Sequence, residues 1–378
     1  MYLLITNILI FRLCTMYELA KETNGAMIAS EHRYYGESIP LPNNVTEHLK
    51  FLSSKQALAD LAKLIKSLKC KKKKSKVVVV GGSYPGNLAA WAKQMYPKLI
   101  DAAISSGAPV LAKKNFYEYF EVVSNNYKQY GIPGCWEKIS EIFQRYQLLL
   151  KTNEGIEIFK REMNVCNDTD MALLENQEVF FDFILGTYMF NSQHGTPQKI
   201  QKHCKKIIHN SGEIDTYLPT HNDQCNDFSF RNKIDNTKMN VSEYYWMYQT
   251  CTEFGYYQTT DSKSHPFTQS ISLNYYINKC TALFGPEFNE KSIDEGIART
   301  NARYHGLHPD VKHVVFVNSD MDAWGRLGVL EDLSNEAPAI VIHGIPHCRD
   351  LYSLDKPEQL RKARVYVKNL IKKWIKRK

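Results

Sequence analysis

The chain has 378 residues, of which 43% are hydrophobic and 23% are charged, as in ordinary folded globular proteins. It contains no glycine period, no heptad array and no long low-complexity tract, which excludes collagen, coiled coils and extended disorder. The net charge of +8 is concentrated in a lysine-rich run at 69–76 and in the C-terminal tail at 372–378, so we expect no nucleic-acid partner.

The pattern of a parallel α/β sheet begins near residue 25. Residues 25–33 predict a buried strand, residues 53–69 an amphipathic helix, and residues 76–81 a β-branched strand covered on both faces. A helix over 86–96 and a short buried strand over 102–106 follow. Strands and helices that alternate at these lengths are typical of a parallel sheet with covering helices.

The character of the sequence changes between residues 112 and 302. Aromatic residues, asparagine and cysteine dominate there and strand patterns fade, which predicts a mostly helical insertion. The α/β pattern then returns with strands over 311–317 and 339–343 and a closing helix over 357–375. The predicted organisation is an α/β domain in two parts interrupted by a helical cap domain: 16–112, 113–302 and 303–378.

The first fifteen residues fit neither part and are interpreted as an apolar leader foreign to the fold. Residues 2–11 are apolar enough for the core of a signal peptide, but no basic segment precedes them and no small-residue cleavage site follows before Met16. A signal peptide is therefore not convincing. No apolar run in the chain is long enough to span a bilayer, so we expect no membrane partner.

Six cysteines lie between residues 135 and 280 without the C-x-x-C spacing of a zinc site, and an even number in this arrangement predicts a disulfide framework. Sequons for glycosylation occur at Asn44, Asn167 and Asn240. Together these features favour an oxidising, secretory compartment, with buried thiols and unused sequons as the alternative. The six are Cys135, Cys166, Cys204, Cys225, Cys251 and Cys280.

Three polar residues follow predicted strands in the chain order Ser83, Asp322, His347. Ser83 comes after a strand and two glycines and directly precedes a helix, which is the strand–turn–helix context of a catalytic serine. Parallel α/β sheets place their sites at the carboxyl ends of the strands, where all three residues are expected. Because serine is a poor nucleophile until an imidazole accepts its proton, and a carboxylate fixes that imidazole, the three predict a hydrolase triad.

Each of these residues also has a simpler explanation. A serine flanked by glycines after a strand is often only a turn, and Pro85 stands where the second glycine of G-x-S-x-G belongs. Asp320 competes with Asp322 for the role of the acid, and an aspartate after a strand commonly caps a helix. A single histidine is more often a core or surface residue than a base. The ordered combination favours the hydrolase.

Five linked motifs resemble the proline-directed serine peptidase family of lysosomal Pro-Xaa carboxypeptidase, dipeptidyl peptidase II and thymus-specific serine protease. The likeness is closest to the thymus-specific branch and its invertebrate relatives, and it covers about residues 16 to 375. The motifs are Glu31-His-Arg-Tyr-Tyr-Gly-Glu-Ser38, Gly81-Gly-Ser-Tyr84 with Ala89-Ala-Trp91, Tyr248-Gln-Thr-Cys-Thr-Glu-Phe-Gly255, Asp322-Ala-Trp324 and His347-Cys-Arg-Asp350.

The resemblance implies an α/β-hydrolase fold with a helical, disulfide-bonded cap in a secreted or lysosomal glycoprotein. It implies cleavage of short peptides on the carboxyl side of proline, without a metal or an organic cofactor. By position, Ser83 is the nucleophile, Asp322 the orienting acid and His347 the general base; Tyr84 supplies an oxyanion N–H, and Trp324 lines an apolar pocket for proline. The disulfides that the resemblance implies are Cys135–Cys204, Cys166–Cys225 and Cys251–Cys280.

The chain also departs from the family pattern. Pro85 and Asn87 replace small and apolar residues near the nucleophile, which leaves the strictness of the proline preference open. The first strands and a glycine-rich loop that precede residue 16 in the family are absent, so we expect a truncated chain. A catalytically inactive homologue that acts as a binding protein, or a fragment, is therefore one alternative, and an esterase or lipase is another. The oligomeric state stays open, with a homodimer as one option.

Overall fold

The computed structural model describes residues 14–41, 46–71, 75–209, 225–353 and 357–376. Short 3₁₀ turns cover Thr46–Phe51, Ala323–Leu327 and Arg349–Leu351, and a π-helical turn covers Thr250–Phe254. The helices are α1 (Thr15–Glu22), α2 (Ser54–Lys71), α3 (Tyr84–Met95), α4 (Glu118–Tyr130), α5 (Cys135–Leu149), α6 (Asn153–Glu162), α7 (Leu174–His194), α8 (Pro197–His209), α9 (Phe230–Lys233), α10 (Val241–Gln249), α11 (Leu273–Phe284), α12 (Glu290–Tyr304) and α13 (Glu358–Lys376).

The strands form two sheets. Four parallel strands make the main sheet in the order β1-β2-β5-β6, and two short strands, β3 and β4, pair separately. In the main sheet Val80 lies opposite Ile104, and Ile104 lies opposite Val315. Because all four strands run the same way, the loops that follow them meet at one edge. The strands are β1 (Val78–Gly82), β2 (Ala102–Ser106), β3 (Lys113–Asn115), β4 (Gly255–Tyr257), β5 (Val314–Ser319) and β6 (Ala339–Ile342).

One face of the main sheet packs against α13. Leu360, Val367, Ile371 and Trp374 recur every three to seven residues along this helix, so they share one face. They are buried in one cluster with strand residues such as Val315. The opposite face of α13 carries lysines, and Lys368 pairs with carboxylates of α1. This amphipathic pattern fixes the helix on the sheet.

The chain forms two compact units. The first comprises the described residues within Met1–Lys113, Tyr245–Gly255 and Ile293–Lys378, and it holds the main sheet. The second comprises Lys114–Tyr244 and Tyr256–Ser292, and its regular structure is almost entirely helical. A parallel α/β sheet interrupted by a helical unit is the predicted fold class, which is thereby confirmed.

Two segments assigned to the cap by the sequence pattern cluster instead with the sheet. The Glu253 carboxylate accepts hydrogen bonds from the N–H and hydroxyl of Ser54, at 2.9 and 2.6 Å. The Asn301 side chain bonds both the N–H and the carbonyl of Ala112, at 3.0 and 2.8 Å. These polar contacts hold residues 245–255 and 293–302 in the first unit.

The prediction of a buried strand over residues 25–33 is wrong. The segment forms no regular element, and Ile28 is 46% exposed. A strand needs a neighbour for its backbone hydrogen bonds, and none of the described strands pairs with this segment. Hydrophobic content alone therefore did not determine its structure.

The second unit has an aromatic core tied by disulfides. The rings of Phe159 and Phe180 meet edge to face with their centroids 4.7 Å apart, a favourable arrangement for aromatic pairs. Disulfides join Cys135 to Cys204 and Cys166 to Cys225, which are two of the pairs that the family resemblance implies. Cys251 and Cys280 are also disulfide-bonded, whereas Cys14 and Cys348 do not form a disulfide.

Candidate active site

Ser83 occupies a tight turn between β1 and α3. Its backbone angles are φ 60° and ψ −138°, a conformation that a residue with a side chain rarely adopts. The Ser83 N–H donates to the carbonyl of Ser106, the last residue of β2, at 2.8 Å. A strained serine held in this way at a strand end is typical of a nucleophile whose hydroxyl must project from the sheet.

The start of α3 explains how this turn accommodates Pro85. The proline lies in the first helical turn, where a missing N–H removes no intrahelical bond. A Cβ added to Gly81 would lie only 1.9 Å from the Pro85 carbonyl oxygen, so this close approach requires glycine. The N–H of Tyr84 also lies in the first turn, where an N–H has no intrahelical acceptor, and its role as an oxyanion donor stays a prediction.

His347 and Asp322 form a buried ion pair at the same edge of the sheet. The two side chains are 6% and 1% exposed, and His347 Nδ1 lies 2.6 Å from Asp322 Oδ2. Since a carboxylate can only accept, Nδ1 donates and Nε2 is the ring nitrogen left for proton transfer. The other carboxylate oxygen, Oδ1, accepts the N–H of Trp324 at 3.0 Å, which fixes the orientation of Asp322.

Burial and charge act in opposite directions on this histidine. Desolvation lowers the pKa of His347, but the negative charge of Asp322 and its hydrogen bond outweigh that effect, with a further contribution from Cys348. The pKa of His347 is therefore raised well above its ordinary value. The pair stabilises an imidazolium, which is the species that forms when a histidine accepts a proton from serine.

Gly107 brings the ion pair next to the turn of Ser83. It directly follows Ser106, whose carbonyl holds Ser83, and its φ of +52° favours glycine. A Cβ added to Gly107 would lie 3.0 Å from Asp322 Oδ2 and 3.0 Å from His347 Cε1. The loops after β1, β2, β5 and β6 therefore converge around this glycine.

The structure distinguishes the two candidate acids. Asp320 lies 3.0 Å from the ring of His343 and accepts the N–H of Gly344 at 2.8 Å. The side chain of His343 is 85% exposed, so this contact belongs to the surface. Asp322 contacts His347 instead, in the buried position that a triad acid requires.

Comparison with known proteins agrees with this arrangement. The model of the family Serine carboxypeptidase S28 matches residues 9–367. The chain belongs to this family. It is a family of serine peptidases, and the predicted family and enzyme class are both confirmed.

Two curated relatives illustrate the likeness to this family. The thymus-specific serine protease of Mus musculus is 31% identical over 95% of this chain and 76% of its own length. The lysosomal Pro-X carboxypeptidase of Bos taurus is 27% identical over 95% of this chain and 76% of its own length. A comparison of folds also matches the crystal structure of a proline iminopeptidase from Mycobacterium smegmatis. The match covers 96% of this chain and 85% of the iminopeptidase chain, with 12% identity and a TM-score of 0.40.

The other predicted residues of this S28 chain lie close to the same loops in sequence. Trp324 is half-buried and bonds Asp322 through its backbone. Asn87, on α3, is fully buried and donates its side-chain amide to the carbonyl of Pro109 at 2.8 Å. The Asn87 amide therefore satisfies a buried backbone carbonyl. The role of Trp324 in a proline pocket stays a prediction.

A buried polar network behind the nucleophile was not foreseen. The hydroxyl of Tyr84 lies 3.1 Å from His32 Nε2 and accepts a hydrogen bond from Gln249 at 3.0 Å. Gln249 in turn donates to Glu253 at 3.3 Å. Burial lowers the pKa of His32 to about 4 and raises that of Glu253. His32, Gln249 and Glu253 belong to two of the motifs that carry the family resemblance, and those motifs are the sequence signal for this network.

The predicted modification and binding sites are partly described. Asn167 and Asn240 are exposed and therefore accessible to glycosylation, whereas Asn44 lies outside the described residues. Over the described ranges, no group of three or more His, Cys, Asp or Glu side chains is arranged to hold a metal ion. No helix in the described part of the chain is both long and apolar enough to cross a membrane.

Proposed function

We propose that the chain is a serine exopeptidase that cleaves short peptides on the carboxyl side of proline, with Ser83, His347 and Asp322 as its triad. One observation carries the proposal: a buried histidine–aspartate pair lies beside the strained turn of a serine, with all three residues at the carboxyl edge of one parallel sheet. Membership of a serine peptidase family supports the same chemistry.

The proposed reaction has two stages. Ser83 Oγ attacks the carbonyl carbon of the scissile bond while its proton moves to His347 Nε2. Asp322 keeps the proton on Nδ1 and stabilises the imidazolium, and the N–H of Tyr84 donates to the oxyanion. The intermediate collapses as His347 protonates the leaving amine. Water, activated by the same histidine, then attacks the acyl-enzyme and releases the second product.

Proline specificity and compartment are proposed from relatives and from the disulfides. A curated relative is named a lysosomal Pro-X carboxypeptidase, and the chain contains disulfide-bonded cysteines, which persist in oxidising compartments. We therefore propose a secreted or lysosomal location and short proline-containing peptides as substrates. The buried Asp322–His347 pair argues against the inactive homologue, because an idle site has no need to retain a costly buried charge.

A fluorophosphonate probe tests the nucleophile. We expect the wild-type protein to be labelled at Ser83 and the Ser83→Ala variant to remain unlabelled. Labelling at another serine, or none by the folded wild type, would refute the triad. Hydrolysis of three substrates then defines the reaction: a peptide with a free amino terminus and proline in second place, a blocked peptide ending in Pro-Xaa, and an acyl ester. Preferential hydrolysis of the ester would refute the peptidase assignment.

A further inference from the structure

Ser106 bonds to two loops of the proposed active site. It is the last residue of β2 and is fully buried. Its carbonyl accepts the N–H of Ser83 at 2.8 Å and the thiol of Cys348 at 3.5 Å. Its hydroxyl donates to Asp350 Oδ1 at 2.5 Å, across 244 residues of sequence. One residue therefore connects the turn that carries the nucleophile to the loop that carries the base.

Asp350 lies on the short turn Arg349–Leu351, three residues after His347, and is 9% exposed. Its backbone carbonyl accepts the hydroxyl of Thr15 in α1 at 2.7 Å. A buried carboxylate is costly, so a fold that needed only a space-filling residue here would be served better by an apolar side chain. The bond to Ser106 gives the carboxylate a specific partner at the nucleophile turn.

We propose that Asp350 is a positioning residue, which holds the loop of His347 against the turn of Ser83 by accepting the hydroxyl of Ser106. This inference rests on the proposed triad. A base must lie within hydrogen-bond reach of the hydroxyl that it deprotonates, and a misplacement of about 1 Å can reduce a rate about a hundredfold. Asp350 itself contacts neither the substrate nor the reacting atoms.

The environment of Asp350 gives this role a pH dependence. Burial raises the pKa of Asp350 to about 6, against the hydrogen bond from Ser106 and the positive charges of His347 and Arg364. Ser106 belongs to β2, His347 to the same loop as Asp350, and Arg364 to α13. Among the described residues that line the small cavity at Asp350, those from β1, β2, β5 and α1 are uncharged: Val80, Ile104, Val317, Thr15 and Met16.

Ionisation decides how firmly Asp350 holds Ser106. A hydrogen bond to a carboxylate is roughly twice as strong as one to a neutral acceptor. The bond is therefore strong above pH 6 and weaker once the carboxyl group is protonated. An asparagine in its place keeps the shape and a neutral acceptor, so Asp350→Asn should resemble the protonated wild type at every pH.

The test compares second-order rate constants for fluorophosphonate labelling of Ser83 between pH 4.5 and 9. At high pH, where the wild-type rate constant has reached its plateau, we expect Asp350→Asn to react about tenfold more slowly than wild type. Below about pH 5, where Asp350 of the wild type is itself protonated, we expect the two rate constants to converge. Ser106→Ala keeps the backbone carbonyl that binds Ser83 but removes the hydroxyl, and it should also react about tenfold more slowly at high pH. Tm values for each variant establish that it is folded.

Asp320→Asn is the matched control, because Asp320 also follows a strand of the same sheet and bonds a histidine, yet lies outside the proposed triad. Its rate should stay within about twofold of wild type at each pH. The positioning role would be overturned, with the triad left intact, if both Asp350→Asn and Ser106→Ala reacted at the wild-type rate. It would also be overturned if the rate of Asp350→Asn were reduced by the same factor at every pH. A folded wild type that is not labelled at Ser83 at any pH would overturn both proposals together.

Discussion

Replacement of Gly107 by alanine should impair the site more than the fold. At a φ of +52° an alanine is strained, and its Cβ would lie 2.8 Å from Cys348 Sγ and 3.0 Å from atoms of both Asp322 and His347. Left-handed backbone costs an alanine about 1–2 kcal/mol, and overpacking typically adds about 1–3 kcal/mol. We therefore expect a loss of roughly 2–5 kcal/mol in the free energy of unfolding.

The effect on rate follows from which atoms must move. Relieving the contacts requires a shift of residue 107 itself or of the thiol, the carboxylate or the imidazole around it, and the carboxylate and imidazole are the buried pair of the proposed triad. A misplacement of 1 Å can cost about a hundredfold in rate, so the few tenths of an ångström needed here should slow fluorophosphonate labelling by up to about tenfold. The assay measures that rate constant at one pH on folded protein, with urea unfolding as the parallel measure of stability.

Gly186→Ala is the control for this prediction, since it makes the same substitution where a new Cβ would meet nothing within 4 Å. Gly186 lies inside α7, where alanine stabilises a helix by about 0.5–1 kcal/mol relative to glycine. We expect that variant to be as stable as wild type or slightly more so, and to label at the wild-type rate. Wild-type labelling by Gly107→Ala would show that the loops do not converge on the glycine as described.

Three further predictions concern the ion pair and the disulfides. Asp322→Asn should lower kcat for a proline peptide about 10⁴-fold through loss of the correct imidazole tautomer, and an equal loss in Asp320→Asn would contradict the assignment of the acid. The rate of labelling should rise with pH through a value above the ordinary histidine pKa of about 6.5, because His347 must be neutral to accept a proton; a rate already constant above pH 6 would argue against a raised pKa. Removal of the disulfide by the double variant Cys135→Ala/Cys204→Ala should cost about 2–4 kcal/mol, measured by urea unfolding, and no change in stability would indicate that the unfolded chain gains little freedom.

Local sequence patterns were sufficient for the main elements of the sheet. Residues 76–81 and 102–106 are short segments with apolar runs at 77–80 and 102–104, and they form β1 and β2 within a few residues of the predicted bounds. The polar residues that follow strands could be predicted as site residues because parallel topology gathers strand ends at one edge. The same reasoning failed for residues 25–33, since a strand depends on a partner that composition does not reveal.

The contacts of the acid and of the supporting residues could be seen only in the tertiary structure. Asp320 and Asp322 both follow β5, so the pattern of residues left both open and the family resemblance alone favoured Asp322. In the structure it is the Asp322 carboxylate that contacts His347. Ser106 and Asp350 are 244 residues apart, and their contact exists because the loop after β6 folds back over the end of β2. No periodicity or spacing in the sequence encodes such a contact.

The placement of the helical insertion has a consequence for biosynthesis. The ribosome synthesises Ser83 and its turn before it reaches the second unit, which begins at Lys114. It synthesises β5, β6 and His347 only after the second unit. Strand β2 therefore cannot pair with its neighbour β5 until about two hundred further residues have been synthesised, at about 5–20 residues per second. Under the proposed triad, the nascent chain carries an inert serine until His347 has been synthesised, so the order of synthesis itself delays hydrolytic activity.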